Sequence, residues 1–589
     1  MDRKHLAIGS LFLAASMAAF YWNAQQAAQA QVAAPAPSAP VVPSAPAAPL
    51  APPAAPALVP AVRTPDAPDP VFEPERTLRL ANAFLDITLT NHGGSIRSAQ
   101  LLGHRAEQGA KDNVVFNAQA ADAALEVHIP DPATAKPVPV RVALSPEPAS
   151  ADGWVRFSGQ LPDGTKLTRA YRLRPAEEKA RGADDGHLLE FSVALTPAAG
   201  KPAPKFWLST GTWLPEAADQ AQLFQSVLVA DLEDTSHIGL SEFTDSSGFL
   251  GMFAHKASAE YPFAAAGGVH RWAAAANQYF VASICPNPAQ RGARSEVVAL
   301  PVALAEGARS VRALASWEGV VGPDGTRSLA GTLYIGPKHY SRLAALPEDQ
   351  VDTLQFVKLF GFIGIAWMAK LLLAALGGVQ ALTSLLPGSW GWAILVLTLV
   401  IKLLTWPLTS AQLKASKKMA QFAKPMQEIR EKHAKNPEKM QKEMMKLYQE
   451  HGINPLAGCL PILIQIPIFF GLYSAFQTAP EMRLESFLWI ADLARADTVA
   501  HLGSFPINPL PVLMGATMWY SMRMTPMPNQ DETMKTVMTV MMLMFPVICY
   551  TMPAALTLYW TFQNILQIGQ TWLLKRRDAA APPVAKAKA

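Results

Sequence analysis

Five apolar stretches fill the second half of the chain, at about 390–408, 457–477, 507–524, 537–552 and 555–574. Each is near the length that crosses a bilayer as a helix, although the fourth is short. A further apolar run, Leu6–Trp22, follows Arg3 and Lys4. It fits a signal peptide or a short anchor, and the bulky Phe20, Tyr21 and Trp22 favour the anchor, although Ala-x-Ala triplets follow. From about residue 72 to 350 the pattern changes to a period of two. Leu85, Ile87 and Leu89 alternate with polar residues before Asn91-His92-Gly93-Gly94, and Leu189, Phe191, Val193 and Leu195 repeat the alternation. Pro162-Asp163-Gly164 and Pro323-Asp324-Gly325 are turn signals. Period two broken by Asp-Gly turns predicts antiparallel sheets with one buried face, in a domain large enough for a β-sandwich core.

Composition sharpens this division. Half of the 589 residues are hydrophobic and 16% are charged, which excludes a mostly disordered chain and argues against a purely soluble one. Residues 31–70 hold 13 Pro and 13 Ala, so this stretch reads as an extended spacer without a fixed fold. Three cysteines exclude a disulfide scaffold, and Cys285 is expected to be buried. In the β-rich part His92, His187, His237, His255 and His270 are scattered and form no catalytic motif. Asp184-Asp185 reads as solvated loop rather than a metal site.

Charge sets the orientation. The loop 409–455 holds ten Lys/Arg and five Glu, and the tail begins Lys575-Arg576-Arg577, whereas 481–505 has four acids and two bases. The positive-inside rule places both basic regions in the cytoplasm and the acidic segment outside. Six spans from a cytoplasmic N-terminus satisfy this. Counting 359–377 as a span would put the ten-base loop outside, so that stretch is expected to lie along the outer interface. The expected architecture is a polytopic α-helical membrane protein with six spans and both termini cytoplasmic. It carries a large periplasmic β-sandwich domain and a cytoplasmic helical hairpin. The boundaries are an anchor at 1–24, a linker at 25–71, the β-domain at 72–355, an interfacial amphipathic helix at 356–378, a five-span core at 388–578 with the hairpin at 409–455, and a disordered tail at 579–589.

Within the hairpin, Met419, Phe422, Met426 and Ile429 share one helical face, as do Met440, Met444, Leu447 and Tyr448. Asn436 is a candidate cap, Pro437 fits a first turn, and Gly452 is a candidate terminator. The basic exterior, including Lys414, Lys417, Lys418, Lys432 and Lys442, either only enforces topology or docks anionic partners such as lipid headgroups or ribosomal RNA.

Lys402 interrupts an apolar run from Trp392 to Trp406. A lysine there either snorkels toward Ser410 or faces a hydrated cavity inside the bundle. Thr398 lies one turn before it, Gln465 sits among Ile464, Ile466 and Pro467, and Gln563, Asn564, Gln567 and Gln570 punctuate the last stretch. Polar residues on several spans, together with a charge, favour a hydrated groove over isolated interhelical bonds. Eleven of 21 methionines fall between Met514 and Met552. They are either lipid-facing or core filler, or a surface that accepts varied hydrophobic helices.

Several of these segments, taken together, resemble the YidC family of bacterial membrane-protein insertases. They are Trp390-Gly391 through Lys402, Trp406-Pro407-Leu408-Thr409, Glu443-Met444-Met445-Lys446-Leu447-Tyr448, and the run from Asn454-Pro455-Leu456 to Pro467-Ile468-Phe469. Tyr334-Ile335-Gly336-Pro337-Lys338 resembles the end of the family's periplasmic domain. The resemblance implies a β-supersandwich of the Gram-negative form and insertion of helices into the inner membrane, alone or beside SecYEG and its accessory SecDF. It implies nascent inner-membrane proteins as substrates, and docking of ribosomes and anionic lipids on the hairpin and basic tail. It implies neither enzyme activity nor a cofactor. The family's positive groove residue is usually arginine. Here it is Lys402, which keeps the charge and loses the bidentate geometry. Tyr559 and Trp560 fall where the family has aromatic groove-wall residues. Two other function classes fit a polar membrane bundle: a small-solute transporter and a non-translocating assembly scaffold.

Overall fold

The computed structural model describes residues 74–107, 109–120, 122–147, 152–173, 185–216, 224–246, 255–355, 358–359, 363–364, 366–433, 436–451, 460–503, 505–524 and 532–580. The expected anchor and linker, Gly452 and residues 581–589 of the expected tail lie outside them.

The N-terminal part is built of antiparallel sheets. A four-stranded sheet comprises Thr77–Ala81, Leu85–Thr90, Ile96–Arg105 and Asn113–Phe116. A ten-stranded sheet is centred on Phe280–Pro286, Arg327–Pro337 and Leu188–Thr196, and a six-stranded one on Ser295–Ala303 and Arg309–Trp317. The alternation places Leu189, Phe191, Val193 and Leu195 in a fully buried row, and they share one apolar core with side chains of the other two sheets. The turns form at the expected signals. Asp163 accepts from the backbone N–H and hydroxyl of Thr165, each at 2.9 Å, and Asp324 does the same for Thr326 at 3.1 and 2.7 Å. At Gly93 φ is +63°, and an added Cβ would meet Val140 O at 2.5 Å, so only glycine fits this turn. Cys285 is buried.

Two buried charges were not legible as such. Asp185 is no solvated loop residue. It is 3% exposed, accepts two bonds from Arg342 at 2.9 and 2.8 Å, and bonds the His187 ring at 3.0 Å. Burial opposes its charge, and the bonds from His187 and the Arg342 guanidinium outweigh that and hold the carboxyl below its usual range. Arg169 is fully buried and donates to Gly93 O at 2.9 Å, Ser95 Oγ at 3.0 Å and Leu125 O at 2.6 Å. Tyr171, two residues on along the same strand, donates to Gly94 O at 2.7 Å. One strand thus clamps the 93–95 turn onto the sheet. Arg169→Ala should strand these acceptors in the core and destabilise the β-domain by roughly 3 kcal/mol, read as a lower melting temperature of the full chain in detergent.

The C-terminal part is helical: α1 (Ala366–Thr383), α2 (Ser389–Gln421), α3 (Ala423–Lys432), α4 (Pro437–Glu450), α5 (Leu460–Thr478), α6 (Pro509–Met524), α7 (Glu532–Ile548) and α8 (Ala554–Ala580). By length and composition, one helix among the described residues, α2, is long and apolar enough to cross a bilayer. The β-domain sits on one end of this bundle. Gln278 donates to Gln477 O at 2.8 Å, and His339 bonds Glu481 at 2.7 Å. Arg483 pairs with Glu216 at 3.0 Å beside the Phe280 ring. The same end holds the start of α2, where Gly388 and Gly391 leave room for Phe487. It also holds the start of α8, where Ala554 and Ala555 donate to Arg495 O and Leu493 O.

Helix α1 returns to that end at both of its termini. Lys370 lies 4.0 Å from Asp352 of the β-domain, and Thr383 donates to Ser389 O at 3.0 Å. Between them Leu372 and Leu376 are buried, and Met368 and Leu372 abut Gly471 of α5. The helix starts at Ala366 rather than near 356, because Lys358–Leu359 pairs with Ile363–Gly364 as a short two-stranded turn. The β-branched Ile363 and Gly364 disfavour helix there. Likewise the hairpin proper starts at Ala423, because α2 continues past Pro407 to Gln421. Thr405 and Thr409 bond back to Ile401 O and Thr405 O at 2.9 and 3.2 Å, placing hydroxyl donors beside the proline.

Candidate functional site

Helix α2 turns one face to the bundle and one away from it. Ala393, Ile394, Leu397, Thr398, Ile401 and Lys402 are buried, whereas Leu399, Val400, Leu403 and Leu404 are exposed. Lys402 therefore stands on the inner face, 1% exposed. Its ammonium donates to Gln567 Oε1 of α8. It points across the α2–α8 seam and not along the helix surface, and no carboxylate pairs with it among the described residues.

The seam continues toward the basic end. Gln570 Nε2 donates to Thr409 Oγ1 at 2.8 Å, Ser410 Oγ at 3.1 Å and Trp406 O at 3.2 Å. Gln563, Gln567 and Gln570 follow i, i+4, i+7 spacing on α8, and Thr398, Lys402 and Thr409 follow i, i+4, i+11 on α2. Two helical polar rows thus face each other. Gln563 Oε1 is buried without a hydrogen-bond partner among the described residues.

The other candidates divide. Gln465 of α5 donates to Tyr559 OH at 2.9 Å, which ties α5 to α8. Trp560 packs edge-on to Phe469 at 5.1 Å and beside Phe545 at 4.7 Å, an aromatic cluster shared by α5, α7 and α8. The Thr398 hydroxyl is satisfied within its own helix by Ile394 O at 2.6 Å. Asn564 turns to α6, where Met514 O and Thr517 Oγ1 each lie at 3.4 Å. Gln567 and Gln570, the direct partners of α2, were legible only as polar interruptions of an apolar run. Their common spacing was the available signal.

In the hairpin the Asn436 side chain caps α4 by accepting from Lys439 N at 3.1 Å, with Pro437 in the first turn. The apolar faces meet where Tyr448 OH contacts Met426 Sδ at 3.7 Å, and Phe422 stacks on His451 at 4.4 Å. Lys414, Lys418, Lys432 and Lys442 are exposed, and Lys417 is half-buried. Lys442 pairs with Glu438 at 2.9 Å. Among the described residues no cluster of His, Cys, Asp or Glu could hold a metal ion.

Two family models match the chain: "60Kd inner membrane protein" over residues 381–581 and "YidC periplasmic domain" over residues 208–375. A membrane protein insertase YidC of Janthinobacterium sp. (strain Marseille) is 39% identical over 264 residues, 44% of this chain and 45% of that protein. One of Neisseria gonorrhoeae (strain NCCP11945) is 34% identical over 361 residues, 60% of this chain and 58% of that protein. The chain thus matches about half the length of these relatives. A crystal structure of an active YidC insertase with its first transmembrane domain resolved is 19% identical, covering 85% of this chain and 93% of that one, with a TM-score of 0.33.

The fold and the two matches define a polytopic helical protein of the inner membrane with a large periplasmic β-sandwich. Over residues 208–375 and 381–581 the chain is similar to the YidC family.

Proposed function

We propose that this protein inserts helices into the inner membrane and assists their folding, by way of a hydrated, positively charged groove along the α2–α8 seam. The observation that carries the reading is Lys402, a cation held on the inner face of a membrane helix and bonded to a neutral glutamine instead of a carboxylate. A buried charge in a span is costly and needs a functional reason. With no carboxylate paired to it among the described residues, this ammonium remains free to attract an acidic or polar segment of a substrate. The amides and hydroxyls of Gln567, Gln570, Thr409 and Ser410 lead from it toward the basic end of the bundle, and so shorten the dry path for that segment. Partition of the substrate's apolar helix into lipid then supplies the favourable free energy, and the membrane potential assists outward movement of negative charge. No bond is made or broken.

The rest of the reading is topological. Leu6–Trp22, α2, α5, α6, α7 and α8 make six spans, with both termini and the α3–α4 hairpin in the cytoplasm. The contacts that set the β-domain beside the starts of α2 and α8 and the end of α5 support this parity. Helix α1, with both ends on the β-domain side, is read as lying along the outer interface. The exposed lysines of the hairpin and the tail Lys575-Arg576-Arg577 suit docking of ribosomes and anionic lipids, and SecYEG with SecDF is the partner expected for substrates with larger exported regions.

The test is cysteine accessibility at 402, 465 and 563, combined with crosslinking to a stalled nascent chain in membranes. We expect a water-soluble thiol reagent to label 402 and 563 from the cytoplasmic side, and the nascent chain to crosslink there. Crosslinking without labelling would select a scaffold. Labelling together with solute counterflow and without crosslinking would select a transporter.

A further inference from the structure

Between α5 and α6, Ala500–Leu502 pairs with Phe505–Ile507 as a small antiparallel hairpin. The register sets Ala500 opposite Ile507 and Leu502 opposite Phe505. Residues directly opposite share a face, so these four make one apolar face, while His501 and Pro506 take the other. Unlike a face turned to a protein core, this one is bare: Leu502 is 75% exposed, Phe505 58% and Ile507 40%. The hairpin is nevertheless held in place. Tyr550 OH donates to Pro506 O at 2.6 Å, its ring lies 5.5 Å from that of Phe505, and Asn508 Nδ2 donates to Tyr550 O at 2.7 Å. It is thereby pinned to the turn between α7 and α8, on the end of the bundle that carries the β-domain.

We propose that this hairpin is a membrane-inserted foot, its Ala500/Leu502/Phe505/Ile507 face seated among phospholipid acyl chains of the outer leaflet. The occupant follows from continuity and size. Two residues beyond Ile507, α6 begins, and its exposed Val512 and Leu513, with Val547 and Ile548 of α7, carry the same apolar surface into the bundle wall. In a polytopic protein that wall faces lipid. Four side chains fall well short of the roughly 800 Å² per partner that a stable protein interface takes, whereas a one-sided apolar element lying at a bilayer surface needs no more than this. The proposal rests on the polytopic membrane architecture and not on insertase activity.

The test uses the unmodified full chain in nanodiscs made with a phospholipid that bears a photoactivatable diazirine on its acyl chain. Adducts are mapped by mass spectrometry. The expected result is labelling of the 499–507 peptide as well as the α6 peptide containing Val512. Labelling of α6 with an unlabelled hairpin overturns the proposal. Absence of label from both overturns the membrane reading of α6 itself, and with it this one. Orientation is read from spin labels at 502 and 501 in a cysteine-free background. The ratio of oxygen to nickel-complex accessibility should exceed one at 502 and fall below one at 501. A ratio below one at 502, or exclusion of both relaxers there, also overturns it.

Discussion

Lys402→Glu should abolish insertion of a short substrate with an acidic tail in proteoliposomes, while Lys402→Arg retains most of it and Lys402→Ala falls between. The effect is electrostatic in origin. Among the described residues the buried face of α2 offers a single cation and no acid that pairs with it, so removing the ammonium removes the attraction, and a carboxylate replaces it with repulsion. Unit charges about 4 Å apart interact by roughly 4 kcal/mol at an effective dielectric of about 20. Desolvation of the tail offsets much of this. A residue of about 1.4 kcal/mol is enough for a tenfold change in rate. The local structure tolerates the exchange, because the Gln567 amide has a donor end as well as an acceptor end and can turn to serve a carboxylate. Protease protection of the inserted tail measures the outcome. A substrate whose tail is neutral supplies the control, and its insertion should change much less. If Lys402→Glu inserts the acidic-tailed substrate as well as the unmodified chain does, the charge has no part in the step.

The difference between what pattern revealed and what it concealed follows from the range of each interaction. The Asp-Gly turns at 163–164 and 324–325 were legible because the aspartate satisfies backbone and hydroxyl groups two residues away. The row Leu189 to Leu195 was legible because a pleat has a period of two. The Asn436 cap was legible because it acts within one turn. What joins distant segments left no such trace. Asp185 looked like half of an exposed acidic pair, since its partner Arg342 stands 157 positions away. Lys402 announced a cost without naming its partner. A helical period identifies a face but not the rotation that sets Gln567, 165 positions on, rather than Gln563 opposite the ammonium. For the same reason Asn564, one residue from Gln563, faces α6 instead of the seam, since successive positions on a helix lie about 100° apart.

Lys338→Met should stabilise the β-domain, and by more at low pH than at high. Lys338 follows the strand Arg327–Pro337, its N–H donates to Tyr279 O at 2.8 Å, and its side chain is fully buried. The ammonium has no hydrogen-bond partner among the described residues. Burial alone pushes its pKa down to about 7, against roughly 10.4 in an unfolded chain. Between those values the unfolded chain holds a proton that the folded one lacks, so folding stability rises with pH over about 7 to 10, by at most about 1.4 kcal/mol per pH unit. Below about 7 both forms are protonated, and the fold carries the full cost of a buried charge, roughly 5 kcal/mol for a depression of this size. A methionine of similar length fills the same space without a charge. The unmodified chain should therefore melt at increasing temperature from pH 7 to pH 9.5, whereas the variant should melt higher at pH 7 and lose that part of the slope. The contrast between the two profiles isolates this one amine from the other titrating groups, because everything else in the domain is common to both. If Lys338→Met lowers the melting temperature at pH 7, the ammonium is solvated or paired in the folded protein, and its burial does not carry the cost assigned to it.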